Sequence, residues 1–103
     1  MEAIDIRSGT IIKVEDFPKA KKKAWKLWID FGELGVKKSS AQITEHYGKK
    51  DLLQRQILAA VNLKPKQIAD FISECLVLGL ADRKGAIVLP TIEPHVPNGQ
   101  RLH

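Results

Sequence analysis

Val61-Asn62-Leu63-Lys64-Pro65-Lys66-Gln67-Ile68-Ala69-Asp70-Phe71-Ile72-Ser73-Glu74-Cys75-Leu76-Val77-Leu78 joins two apolar segments through a basic turn. An apolar strand is expected to end at Asn62-Leu63. Lys64-Pro65-Lys66 then turns, because Pro65 fixes its own φ and has no N–H to give to a ladder. A second apolar strand is expected just past the polar pair Ser73-Glu74. Two strand ends and a basic loop meet in this stretch, so a specific binding pocket is expected here before anywhere else.

Upstream, residues 56–63 alternate Ile57, Ala59, Val61 and Leu63 with Leu58, Ala60 and Asn62. Both faces are nearly apolar, which is the mark of a central strand. Downstream, residues 76–80 read as a fifth strand, 81–85 as a polar turn and 86–89 as a returning strand. The tail from Pro90 carries Pro94, Pro97 and Asn98-Gly99, which specify turns, yet Ile92, Val96 and Leu102 punctuate it. Spaced apolar residues predict that it docks, on its own barrel or on a second copy.

Earlier in the chain, Ile4, Ile6, Ile12 and Val14 fall on even positions with Arg7, Lys13 and Glu15 opposite, a period-two strand pattern. Gly9 and the out-of-phase Ile11 predict a bulge there. Pro18 and the lysines Lys19, Lys21, Lys22 and Lys23 make a break. Trp25, Leu27, Ile29 and Phe31 then alternate with Lys26, Trp28 and Asp30, so one face is core. Trp28 either covers a second apolar cluster or subunit contact, or offers a stacking platform to a base or an apolar peptide side chain. Residues 32–35, Gly-Glu-Leu-Gly, form a turn. Residues 36–43 are a polar strand in which Lys37 and Lys38 point to opposite sides. Thr44 is read as the N-cap of a short helix with Tyr47, Leu52 and Leu53 inward.

At 103 residues the chain is one domain, residues 1–103. Lys and Arg number 17 against 12 Asp and Glu, a net charge of +5 that favours a polyanionic partner. The single Cys75 and the scattered His46, His95 and His103 lack metal-ligand spacing, and no metal or cofactor is expected. Met1-Glu2-Ala3-Ile4-Asp5 has no signal-peptide pattern and no window reaches the roughly 18 apolar residues of a membrane span, so a cytoplasmic protein is expected. Nucleophile elbows, phosphate-binding glycine loops and zinc-protease motifs are absent from the sequence, so it is not read as an enzyme.

The pattern of strands, bent first strand and intervening helix predicts an all-β OB-fold: a five-stranded Greek-key barrel with a short helix and a docked carboxyl-terminal tail. The 61–78 stretch resembles the signature of the tRNA-binding OB domain found in structure-specific tRNA-binding proteins, at the carboxyl end of many methionyl-tRNA synthetases, and in the CsaA export-related chaperone family. Asn62-Leu63-Lys64-Pro65 with Ile68, and Ser73-Glu74 with Leu78, carry that likeness. Asp5-Ile6-Arg7-Ser8-Gly9-Thr10-Ile11, Ile29-Asp30-Phe31-Gly32, Lys38-Ser39-Ser40-Ala41-Gln42-Ile43-Thr44 and Val96-Pro97-Asn98-Gly99 are similar to CsaA in the same order. The resemblance implies a homodimer with affinity for tRNA and a chaperone role in protein export. Relatives usually have glycine where Asp70 stands, implying a different loop conformation and a negative charge near the phosphate surface. They often carry a longer segment before Asp5 that helps the dimer interface, where four residues stand here, which bears on the strength of the dimer and not on the fold.

Candidate RNA-binding residues are therefore Lys21, Lys22 and Lys23 in the first loop, Lys37 and Lys38, Lys64 and Lys66, with Asn62 and Ser73 as contacts to shape or base. Asn62 and Ser73 read equally as partners for loop backbone groups, and Arg7 with Glu74 as a structural ion pair. The alternative function, binding unfolded or precursor polypeptides in an apolar groove, would use Trp28, Phe71 and Ile72.

Overall fold

The alternation after Ala24 becomes strand β2 (Trp25–Asp30) and decides which side of the sheet is core: Leu27, Ile29 and the following Phe31 are fully buried. The structure is a computed structural model that describes residues 3–103; Met1 and Glu2, the start of the stretch read for a signal peptide, lie outside the described residues. β2 pairs antiparallel with β1 (Ile6–Asp16) and β3 (Val36–Ala41), β1 also with β4 (Gln56–Ala60), and β4 with β7 (Leu76–Val77). The order β3-β2-β1-β4-β7 is a five-stranded antiparallel, nearly closed barrel, the expected OB-fold.

β1 serves both halves because it bends. Residues 6–10 ladder with β4 and residues 10–16 with β2, and the register slips between Ile11 and Lys13. A bulge is present but lies past Gly9, where it was expected, and its consequence corrects the even-numbered core face. An inserted residue reverses the phase of a period-two strand, so Gly9 and Ile11 face inward before it and Val14 after it. Ile11 is fully buried, whereas Ile12 and Ile4 are exposed. A Cβ on Gly9 would lie 2.7 Å from Ile29 and the Phe31 ring, so the first strand can cross here only as glycine.

The short helix α1 (Lys49–Leu52) starts later than Thr44 because Asp51, through its carboxylate, accepts the Gly48 N–H at 2.8 Å and closes the turn there. Leu52 is fully buried under the barrel, while Leu53, expected inward, is exposed. Tyr47 does face in, its hydroxyl accepting the Leu89 N–H at 2.8 Å. β4 stops at Ala60 instead of Leu63, and Leu63 is exposed. What was read as a plain basic loop contains a hairpin, β5 (Lys66–Ile68) and β6 (Phe71–Ser73). The expected fifth strand is divided into β7 and β8 (Leu80–Ala81), and β8 pairs with β9 (Ile87–Val88).

The tail docks on its own barrel. The Ser8 N–H donates to the Gln100 carbonyl at 2.9 Å, and the Gly99 N–H to the Ser8 carbonyl at 2.8 Å. The buried side chain of Gln56 brackets Val96, accepting its N–H at 3.0 Å and donating to its carbonyl.

β3 and β7 do not meet as a ladder, and the Ser73-Glu74-Cys75 segment latches the gap. The Glu74 N–H donates to the Lys38 carbonyl at 2.7 Å and the Glu74 carboxylate accepts the Lys38 N–H at 2.9 Å. Ser73 Oγ accepts the Ser40 N–H at 3.1 Å, and Ser39 Oγ donates to the Cys75 carbonyl at 2.9 Å. Glu74 is thereby not the partner of Arg7, which pairs with Asp5 at 2.8 Å and donates to the Gly99 carbonyl. Glu74→Ala is expected to destabilise the domain by about 2 kcal/mol, the worth of a hydrogen bond to a charged acceptor, and Glu74→Gln by less than half of that. Thermal melting of the two variants checks this.

Candidate nucleic-acid interface

Lys64, Pro65 and Lys66 are exposed at the foot of the β5–β6 hairpin, whose ladder pairs Lys66 with Ser73, Gln67 with Ile72 and Ile68 with Phe71. The turn is therefore Ala69-Asp70. Ala69 takes the positive φ of 52°, and Asp70 does not. Asp70 turns outward and binds Lys19 Nζ at 3.1 Å. That hydrogen bond holds its carboxyl below the usual carboxylate range. The contact ties the hairpin to the first inter-strand loop.

The tie brings distant lysines together. Lys19, Lys21, Lys22 and Lys66 line one open groove of about 590 Å³. Lys64, Lys66 and Ser73 line a second of about 330 Å³. The grooves share Ser40, Gln42, Lys66 and Ile68, so they are one continuous depression. Lys23 is exposed in the first loop but does not line it. Lys37 shares the core-side register of β3 with Ser39 and is paired with Ile29, on the opposite side of the strand from Lys38.

Asn62 does not line either groove. Its side chain accepts the Asp5 N–H at 2.8 Å and donates to the Ala3 carbonyl at 2.9 Å, fixing the entry to β1. Ser73 Oγ accepts from Ser40 and donates to the Cys75 carbonyl at 3.3 Å. Both side chains are thus engaged with backbone groups, one at the groove wall and one away from it.

Trp28 covers a second apolar cluster of Phe17, Ala24 and Phe71. Its ring meets Phe71 edge to face at 5.6 Å, and Phe17 meets Phe71 at 5.5 Å. Ammonium groups roof these rings: Lys13 is 4.6 Å from the Trp28 centroid, Lys26 5.0 Å from Phe17 and Lys38 5.1 Å from Phe71. Such contacts hold a cation where the ring quadrupole attracts it. Of the three residues considered for a polypeptide, Phe71 is buried, Trp28 half-buried and Ile72 exposed. Sequence reasoning missed Lys13 and Lys26 as part of this face, although the β2 alternation already put Lys26 and Trp28 on one side. Gln42 was missed as well; its only signal is its spacing from Ser40.

Cys75 is buried, and burial pushes its thiol up to about 11, which removes thiolate chemistry at neutral pH. Among the described residues no helix is long and apolar enough to cross a membrane.

Comparison with known proteins agrees with this geometry. Residues 6–101 match the family described as "Putative tRNA binding domain". The crystal structure of the chaperone CsaA from Bacillus anthracis superposes with a TM-score of 0.90 at 47% identity, covering 97% of this chain and 91% of that one. CsaA from Picrophilus torridus gives 0.89 at 50% identity, covering 97% and 92%. The methionine–tRNA ligase of Methanocaldococcus jannaschii is 30% identical over 102 residues, which are 99% of this chain and 15% of that enzyme. The chain therefore spans a small part of the length of such ligases.

Proposed function

The chain belongs to the tRNA-binding domain family, and from that premise we propose that it is a non-catalytic, cytoplasmic, homodimeric module that binds tRNA in the joined lysine grooves. The observation that carries this reading is the convergence of Lys21 and Lys22 with Lys64 and Lys66 on one depression. Ammonium groups arrayed along a groove neutralise successive phosphates and release condensed counterions, which supplies affinity without demanding sequence. Lys23, Lys37 and Lys38 extend the positive field beyond the groove. Ser73 acts by holding the groove wall and Asn62 by fixing the entry to β1 away from it, since their polar atoms already have backbone partners. Dimerisation is supported by an apolar hollow of about 770 Å³ between Leu58 and the tail residues Ile92, Val96, Pro97 and Leu102.

Titration of bulk tRNA at several salt concentrations tests the reading. The logarithm of the binding constant is expected to fall linearly with the logarithm of salt, by about 0.7 to 0.9 per neutralised phosphate. No binding at low salt overturns it. Asp70→Asn releases Lys19 from its ion pair and is expected to steepen that slope by about one phosphate contact, with a corresponding rise in affinity at low salt.

A second reading, a chaperone that holds unfolded or pre-export polypeptides, is favoured by the likeness to two proteins described as CsaA chaperones. On this chain the accessible apolar candidates are the exposed Ile72 and the exposed part of Trp28. It predicts salt-insensitive suppression of aggregation of a test protein at stoichiometric dimer. Absence of any suppression argues decisively against it.

A further inference from the structure

We infer that the junction of the lysine grooves is a pocket for one unpaired nucleotide, its base read by the side-chain amide of Gln42 and its phosphate held by Lys64 and Lys66. This inference rests on the nucleic-acid reading above and names the part of the ligand that the site selects. A third groove, of about 350 Å³, runs on between β3 and β7, and Ser40 and Gln42 are the residues common to all three. They lie two apart at the end of β3 and so present their side chains to the same side.

The chemistry of the pair is what a base edge requires. Ser40 commits its N–H to Ser73, but its hydroxyl and the whole Gln42 amide have no hydrogen-bond partner among the described residues. Gln42 is exposed at the meeting point, so it presents a free donor and a free acceptor inside a ring of ammonium groups. Lysines attract any phosphate equally; a side-chain amide, with a donor and an acceptor side by side, distinguishes one base edge from another. Across the second groove stand Leu63 and Leu76, both exposed apolar side chains that would otherwise face water, and they supply the wall for the base's flat face. Glu74, the anion on that wall, has its carboxylate turned to the Lys38 N–H. A volume of about 330 Å³ is at the small end of ligand pockets. It suits one nucleotide and excludes a helix, whose bases are in any case stacked away from such a slot. The selected feature is therefore a single-stranded loop or end of an RNA.

A short single-stranded RNA and an RNA duplex of the same length, each titrated against the protein and its Gln42→Ala variant, test this. The intact protein is expected to prefer the single strand. Gln42→Ala is expected to lower single-strand affinity about tenfold, the order of one bidentate base contact, with the salt slope and the duplex affinity unchanged. Gln42→Glu, which keeps size and removes the donor, is expected to lose as much. Equal loss for both RNAs, or no loss with either variant, overturns the pocket while leaving tRNA binding intact. Failure of the unaltered protein to bind any RNA overturns both the pocket and the function on which it rests.

Discussion

Replacing Lys21, Lys22, Lys64 and Lys66 together by glutamine is expected to cost about two to three orders of magnitude in tRNA affinity at physiological salt. The same variant is expected to flatten the salt dependence by about three units of log–log slope. The magnitude follows from four lost phosphate contacts at about 0.7 to 0.9 each, accumulated between molar and physiological salt. These four are chosen because none of them has an ion-pair partner among the described residues, so each ammonium is free for phosphate. Lys19 is left in place because Asp70 already occupies it. All four are exposed, so the substitutions are expected to move stability by no more than about 0.5 kcal/mol each. Lys50→Gln with Lys84→Gln, two exposed positions outside the grooves, serves as the charge-matched control for half the change. Filter binding across a salt series reads both quantities. An unchanged slope in the fourfold variant places the RNA elsewhere on the surface.

The elements that were legible in the sequence are those whose side-chain period survives unbroken. β2 is such an element: Leu27, Ile29 and Phe31 alternate without interruption and are all fully buried. β1 was recognisable as a strand but not in phase, because the bulge falls within Ile11-Ile12-Lys13 and two neighbouring isoleucines give no sign of which one is extruded. The β5–β6 hairpin escaped because its turn is Ala69-Asp70, without the glycine or asparagine that usually marks positive φ. Thr44 resembles a cap, yet the helix starts where Asp51 can reach the Gly48 N–H, a choice settled by geometry three residues on.

For the candidate site the sequence supplied the charges and not their arrangement. The first-loop lysines and the motif lysines meet through Lys19 and Asp70, a contact between residues far apart in the chain that no local pattern encodes. The same limit explains Arg7 and Glu74. Their opposite charges suggested a pair, but Asp5 lies two residues from Arg7 on the same strand entry, and Glu74 is committed to closing the barrel. Charge in a sequence identifies the candidates for an ion pair; tertiary proximity picks the partner.

Gly99→Ala is expected to be the most damaging single substitution outside the core, at about 2 to 5 kcal/mol. Two costs add there. The φ of 87° lies in the left-handed region, which costs an L-residue about 1 to 2 kcal/mol. In addition a Cβ would stand 2.4 Å from the Phe31 carbonyl oxygen, and reciprocally one on Gly32 would stand 2.5 Å from the Asn98 carbonyl oxygen. The tail and the β2–β3 turn thus cross backbone against backbone, and no rotamer change relieves an overlap of that kind. Overpacking of this sort costs about 1 to 3 kcal/mol. Pushing the tail away would also strip Ser8, Gln56 and Arg7 of the partners that satisfy them. Gly85 separates the two costs, because its φ is also 87° while nothing lies within 4 Å of its added Cβ. Gly85→Ala should therefore carry the conformational cost alone, lowering Tm by about 4 to 16 °C at the 4 to 8 °C per kcal/mol typical of domains this small. Gly99→Ala should lower it by clearly more than Gly85→Ala, and melting both proteins under one buffer decides the matter. Equal shifts would mean that the crossing yields at no cost and that the tail is held by its hydrogen bonds rather than by close packing.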